Sequence, residues 1–296
     1  MSGREGRSSF QTIALLMLLP IAGLGLILGW SFLQNALHTP GSGKHVVATR
    51  ASVLAPAAKP AAALAAPPAP KTKTAHRRGN LVVILDDVGF DHQPLASAMA
   101  IDPNVNFAIL PNSENALASA RTLHGRGFEL LCHLPMEPIG YPKQQPGANA
   151  ILTSMTDEQI ADTTRANVDA IPNIRGVNNH MGSAATSDRR VMTTVLNALP
   201  KGLYFIDSKT AGSSIAGKLA HEMDIRTASR NVFLDDVQSE GAVRRQLAHL
   251  ADAASTHGVA IAIGHMYPVT MKVLGEEAPR LRAEGFRFIR ASEAVR

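Results

Sequence analysis

Residues 81–89 read Leu81-Val82-Val83-Ile84-Leu85-Asp86-Asp87-Val88-Gly89, five consecutive apolar residues running into two carboxylates. A continuous apolar run of this length predicts a strand buried on both faces, the kind found in parallel sheets covered by helices. Similar runs follow at 105–110, 128–132, 175–178, 203–206, 259–263 and 286–289. Helical patterns lie between them, near 92–100, 113–126, 156–170, 188–199, 213–223, 240–257 and 270–284. Strands alternating with amphipathic helices imply right-handed crossovers, so the expected fold class is α/β, a closed or nearly closed β/α barrel of about seven parallel strands. Neither a G-x-G-x-x-G nor a P-loop follows the first strand, which removes the usual nucleotide-binding readings.

Upstream of this domain the composition changes twice. Phe10 to Leu33 contains no charged residue and is long enough to cross a hydrocarbon core of roughly 30 Å. Arg4 and Arg7 precede it, so the positive-inside tendency predicts a cytoplasmic N-terminus (1–9), a transmembrane signal anchor (10–33) and export of the rest. That places the domain on the periplasmic side of the inner membrane, or in secreted form if the segment is a cleaved signal. Residues 34–79 are rich in Ala and Pro and hold no Phe, Trp or Tyr, as a disordered tether would. The domain itself is expected from 80 to 296.

The whole chain has 29 Lys/Arg against 24 Asp/Glu, but nine of those bases and one of those acids lie in residues 1–79, leaving 20 and 23 for the rest. Without a basic face or a run of stacking aromatics, nucleic acid is not the expected partner. The single Cys, Cys132, excludes a disulfide framework and every multi-cysteine metal cluster.

Chemistry gathers at the predicted strand ends. They deliver Asp86-Asp87, His133, Asn178-Asn179-His180, Asp207 and His265, and a β/α barrel brings such ends to one face. One Asp would serve as a helix cap; two adjacent ones allow one to bind a cation while the other stays free as a base. A carboxylate with His133 and His180 would make a site for Zn²⁺ or another divalent metal, with positions left for water and substrate. His265 suits a general acid, and Asp207 either orients it or caps the following turn. Asp235-Asp236 reads as a cap for the helix that starts near Ser239. His92, His124, His221, His249 and His257 read as surface or helix-end residues.

On these motifs, LVVILDDVG (81–89), FAILPN (107–112), GFELLCHLPMEP (127–138), GVNNHMGS (176–183), FIDSKT (205–210) and IAIGHMYP (261–268), residues 81–296 resemble the divergent polysaccharide deacetylase family. That family is a branch of the metal-dependent carbohydrate esterases, built on a deformed β/α barrel. The resemblance implies that Asp86 is the base, Asp87 a metal ligand and His265 the acid. In the wider superfamily a second motif supplies two metal histidines four residues apart. Here His133 matches the first and Glu137 stands at the second, so the remaining ligand falls to His180 or to Glu137. The superfamily's Arg-x-Pro-Tyr motif is absent, with Asn178-Asn179-His180 in its place, which makes Asn179 a supporting candidate beside Glu137 and Asp207. The implied function is a membrane-anchored deacetylase of an N-acetylated cell-envelope glycan, using a divalent metal, Zn²⁺ first among them. The alternative is a non-catalytic glycan-binding or scaffold domain that keeps the same site.

Overall fold

The computed structural model describes residues 78–296. The expected N-terminus (1–9) and anchor (10–33), and nearly all of the tether (34–79), lie outside the described residues. Among the described residues no helix is long and apolar enough to cross a membrane.

Nine strands form one sheet: β1 (Gly79–Val88), β2 (Asn106–Ile109), β3 (Glu129–Met136), β4 (Gly176–Met181), β5 (Tyr204–Asp207), β6 (Thr227–Ser229), β7 (Val232–Phe233), β8 (Val259–His265) and β9 (Phe286–Phe288). Every pairing is parallel, in the order β6-β5-β4-β3-β2-β1-β8-β7, with β9 against the first residues of β1. The seven helices are α1 (Leu95–Met99), α2 (Ala116–Gly125), α3 (Asp157–Asp169), α4 (Arg189–Ala198), α5 (Ala216–Glu222), α6 (Glu240–His257) and α7 (Pro268–Ala283). All seven predicted strands are present. The two additional ones, β6 and β7, are edge strands of three and two residues, too short to leave a hydrophobic period in the sequence.

The barrel does not close. Its end strands β6 and β7 are not neighbours in the sheet, and Arg230 and Asn231 alone connect them along the chain. This open seam is the deformation.

Side-chain alternation along the strands decides what reaches the interior. Val82, Ile84, Leu131, Tyr204, Ile206, Ile261 and Ile263 pack together in the inner cluster. The alternate residues Leu81, Val83, Leu85, Leu130, Ala260 and Ala262 pack outward with Leu123, Val243, Leu247 and Leu274 of α2, α6 and α7. Cys132, Leu134, Val177 and Phe205 meet α3, α4 and α5. The outer helices are capped by their own side chains: Thr156 and Gln159 bond reciprocally at the start of α3, Asp188 caps α4, and Ser239 caps α6. Continuing the inner rows by two residues reaches Asp86 after Ile84, His133 after Leu131, and His265 after Ile263.

Candidate active site

Asp86 arrives at the barrel mouth by simple alternation, but Asp87 should then point outward. Instead, β1 carries one extra residue against β2: Leu85 pairs with Phe107, and the next pair is Val88 with Ile109. The bulge is turned by Asp87 itself, at φ 56°, a left-handed conformation that Asp tolerates better than most residues. Gly89 completes the turn at φ 123°, where a Cβ would stand 2.0 Å from Ser113 Oγ. Both carboxylates therefore line the same cavity, of about 690 Å³, together with His133, His180 and His265.

Asp87 Oδ1 lies 2.9 Å from His180 Nδ1 and 3.3 Å from His133 Nε2, and those two nitrogens are 3.1 Å apart. Ligands about 2.0–2.2 Å from a Zn²⁺ ion stand roughly 3 Å from one another, which is the spacing of these three atoms. Oδ1 is buried and accepts no aligned hydrogen bond despite both imidazoles beside it. An ionised oxygen left so is costly unless a cation meets it. Burial would raise the Asp87 carboxyl, but the two imidazoles outweigh it and hold the group well below the ordinary carboxylate range. Asp87, His133 and His180 thus fit a divalent metal in donor chemistry, spacing and charge.

Asn178 organises the buried side of this group. It is fully buried, continues the inward row of β4, and bonds in two directions: its Nδ2 donates to Asp86 Oδ1 at 2.9 Å, and its Oδ1 faces His133 Nδ1 at 2.9 Å. The second contact makes Nδ1 of His133 the protonated nitrogen and leaves Nε2 bare toward Asp87. Burial pushes the Asp86 carboxyl above its ordinary value, with the like charge of Asp87 adding to the rise, against opposing effects of His133, His265 and Asn178. His265 faces the cluster from β8, its Nε2 3.5 Å from Asp87 Oδ2. Its Nδ1 donates to Asp235 Oδ1 at 3.0 Å, and Asp235 Oδ2 also accepts from the His265 backbone N–H and from Thr270 Oγ1. Burial opposes the imidazolium, but the Asp235 hydrogen bond and the charges of Asp86 and Asp87 outweigh it and raise His265 to about 9.

Two open alternatives close and one expectation changes. Glu137 is not beside the cluster: its Oε2 accepts from Thr153 N–H and Oγ1, because the chain beyond Met136 turns away to bridge Ile151. Asp207 does not orient His265. It follows the inward Ile206 and so points outward, where it accepts from Lys209 N–H, Ser214 Oγ and Gly217 N–H and caps the following turn. Asp235, read as a helix cap, is the residue that holds His265, while Ser239 caps α6. The missed signal is positional: Asp235 follows Val232-Phe233-Leu234 as Asp86 follows its own apolar run, but two residues of strand are too few to announce a strand end. Asn179 supports backbone, accepting from Ser208 N–H and donating to Met181 O.

The profile of the divergent polysaccharide deacetylases matches residues 83–295. The chain belongs to that family. An uncharacterized protein of Haemophilus influenzae Rd is 36% identical to this divergent polysaccharide deacetylase family member over 204 residues, 69% of this chain and 72% of its own length. The uncharacterized protein YibQ of Escherichia coli K12 is 37% identical over 197 residues, 66% of this chain and 61% of that protein. Among solved structures, an uncharacterized protein from Agrobacterium tumefaciens C58 matches with a TM-score of 0.70 at 21% identity, over 74% of this chain and 90% of its own, a likeness of fold.

Proposed function

We propose that the chain is a metal-dependent deacetylase of an N-acetylated cell-envelope glycan. The observation that carries the reading is the orphaned Oδ1 of Asp87 between two imidazole nitrogens, with a buried carboxylate, Asp86, on one side and His265 on the other. Asp87, His133 and His180 would hold the cation, Zn²⁺ by their donor set. Bound there, the ion would supply Lewis-acid polarisation of the acetyl carbonyl and a lowered pKa for water. Asp86, kept from its ordinary acidity by burial, takes a proton as water adds to the acetyl carbon. Asn178 holds that carboxylate by one oxygen and leaves the other, Oδ2, toward His133 and the cavity. The C–N bond then breaks, and His265, protonated at neutral pH and steadied by Asp235, gives its Nε2 proton to the departing sugar nitrogen. The products are acetate and a free amine.

The same fold without turnover would be a glycan-binding scaffold, but an Asp235-held imidazolium next to a buried carboxylate has no evident use in binding alone. Acetate release from N-acetylglucosamine oligomers by the Zn²⁺-reconstituted chain tests the reading. Release that disappears in Asp86→Asn supports it; binding of the oligomers with no release from wild type favours the scaffold. The apolar segment 10–33 and the Ala/Pro-rich 34–79 would hold such an enzyme at the outer face of the inner membrane, a proposal resting on sequence.

A further inference from the structure

The open seam of the barrel carries a fixed cation. Arg230, between β6 and β7, donates from Nε to Ser208 O at 2.6 Å and from Nη2 to Lys209 O at 2.7 Å. Its guanidinium lies 5.0 Å over the Phe233 ring. These contacts fix its plane and half-bury it in the wall of the cavity that holds Asp86, Asp87 and His265. Asp207, Asp86 and Asp236 act on its charge through space, but among the described residues none of them forms an ion pair with Arg230, and Nη1 has no hydrogen-bond acceptor. Other docked guanidiniums differ in setting: Arg190 meets Asp157 and Arg282 meets Asp102, while Arg226 and Arg290, docked on the carbonyls of Gly202 and Gly127, are exposed and lie outside the cavity. Lys209, from the turn after β5, lines the same wall, exposed and likewise without a carboxylate partner among the described residues.

A half-buried, immobilised guanidinium with an open donor beside a lysine suits an anionic ligand, since a charge-assisted hydrogen bond offsets the desolvation of both ions. Asp236 on the same cavity and the two aspartates at its floor disfavour a doubly charged phosphate more than a singly charged carboxylate. Because the cations and the reacting groups share one cavity, the anion sits on the sugar that bears the acetamide or on its neighbour.

Building on the deacetylase reading, we infer that the substrate is an acidic N-acetylated glycan whose sugar carboxylate is recognised by Arg230 and Lys209. That carboxylate could belong to a uronic acid or to a lactyl ether on the N-acetylated sugar. The test uses the full 296-residue chain with added Zn²⁺ and three oligosaccharides of equal length: neutral N-acetylglucosamine, alternating N-acetylglucosamine–glucuronate, and a lactyl-ether glycan. Acetate release and calorimetric binding are both measured. The wild type should favour one of the two acidic glycans roughly tenfold over the neutral one, and which of them identifies the carboxylate's source. The preference should collapse in Arg230→Gln and weaken in Lys209→Gln, the latter removing a charge without touching the backbone bonds that Arg230 makes. Selective acidic binding without acetate release would uphold the anion subsite and sink the deacetylase reading. Turnover with no acidic preference, or a preference that survives both variants, would overturn the subsite and leave the deacetylase reading standing.

Discussion

His265 Nδ1 stands 3.0 Å from Asp235 Oδ1, so the imidazole of β8 is aimed by a carboxylate from the end of β7. Asp235 accepts three hydrogen bonds and is itself buried, which fixes both the ring and its tautomer. In the proposed reaction protonated His265 is the acting form, and its raised value of about 9 is where that form is expected to be lost as pH rises. Asp235→Asn removes the charged hydrogen-bond partner that contributes to that rise and leaves Asp86 and Asp87, so the alkaline limb of kcat against pH should move to lower pH and kcat should fall. His265→Ala should lose roughly 10²–10⁴-fold. An alkaline limb unmoved in Asp235→Asn would separate the two residues functionally.

Asn178 joins Asp86, the proposed base, to His133, a proposed metal ligand, through one side-chain amide. Asn178→Ala leaves buried atoms of Asp86 and His133 without partners, at a cost of about 1–3 kcal/mol in stability. Because Asn178 also sets the His133 tautomer, metal affinity should fall roughly 10–100-fold. Urea denaturation and metal titration of the same variant check both. Full metal affinity in Asn178→Ala would show that His133 does not depend on this contact.

Metal and protons compete for the same atoms. Burial disfavours the His133 imidazolium, but Asp86 and Asp87 outweigh it and raise the group above its ordinary 6.5. A metal held by His133 would have to displace that proton, so affinity should weaken as pH falls, beginning at a higher pH than an ordinary imidazole would give. Zn²⁺ titrations between pH 5 and about 9 test the direction. An affinity flat across that range would contradict the assignment of His133.

Glu137 offers a contrast. Its carboxylate serves the Thr153 turn, so Glu137→Ala should lower stability by about 1 kcal/mol while leaving metal stoichiometry intact. Loss of the metal on that substitution would reinstate Glu137 as a ligand.

The legibility of this molecule from its sequence follows strand length. Long apolar runs such as 81–85 and 259–263 declared buried parallel strands, and the polar residues ending them proved to converge. Alternation within a run carried further information: Tyr204 and Ile206 face the interior, so Asp207 must face out. What the sequence hid depends on local breaks in that alternation. The bulge that turns Asp87 inward, the departure of the chain at Glu137 and the short β7 ahead of Asp235 each rest on one or two residues. The contacts that commit Glu137 to the Thr153 turn and leave His180 beside His133 are likewise set by tertiary structure, not by local sequence.

The central claim is that Asp87, His133 and His180 hold one divalent cation. Elemental analysis of the metal-reconstituted full chain tests it most directly, with wild type beside Asp87→Ala, His133→Ala, His180→Ala and Asp86→Asn. About one metal per chain is expected in wild type and Asp86→Asn, and its loss in the other three. An Asp87→Ala protein that still binds metal stoichiometrically, or a wild type that binds none, would contradict it.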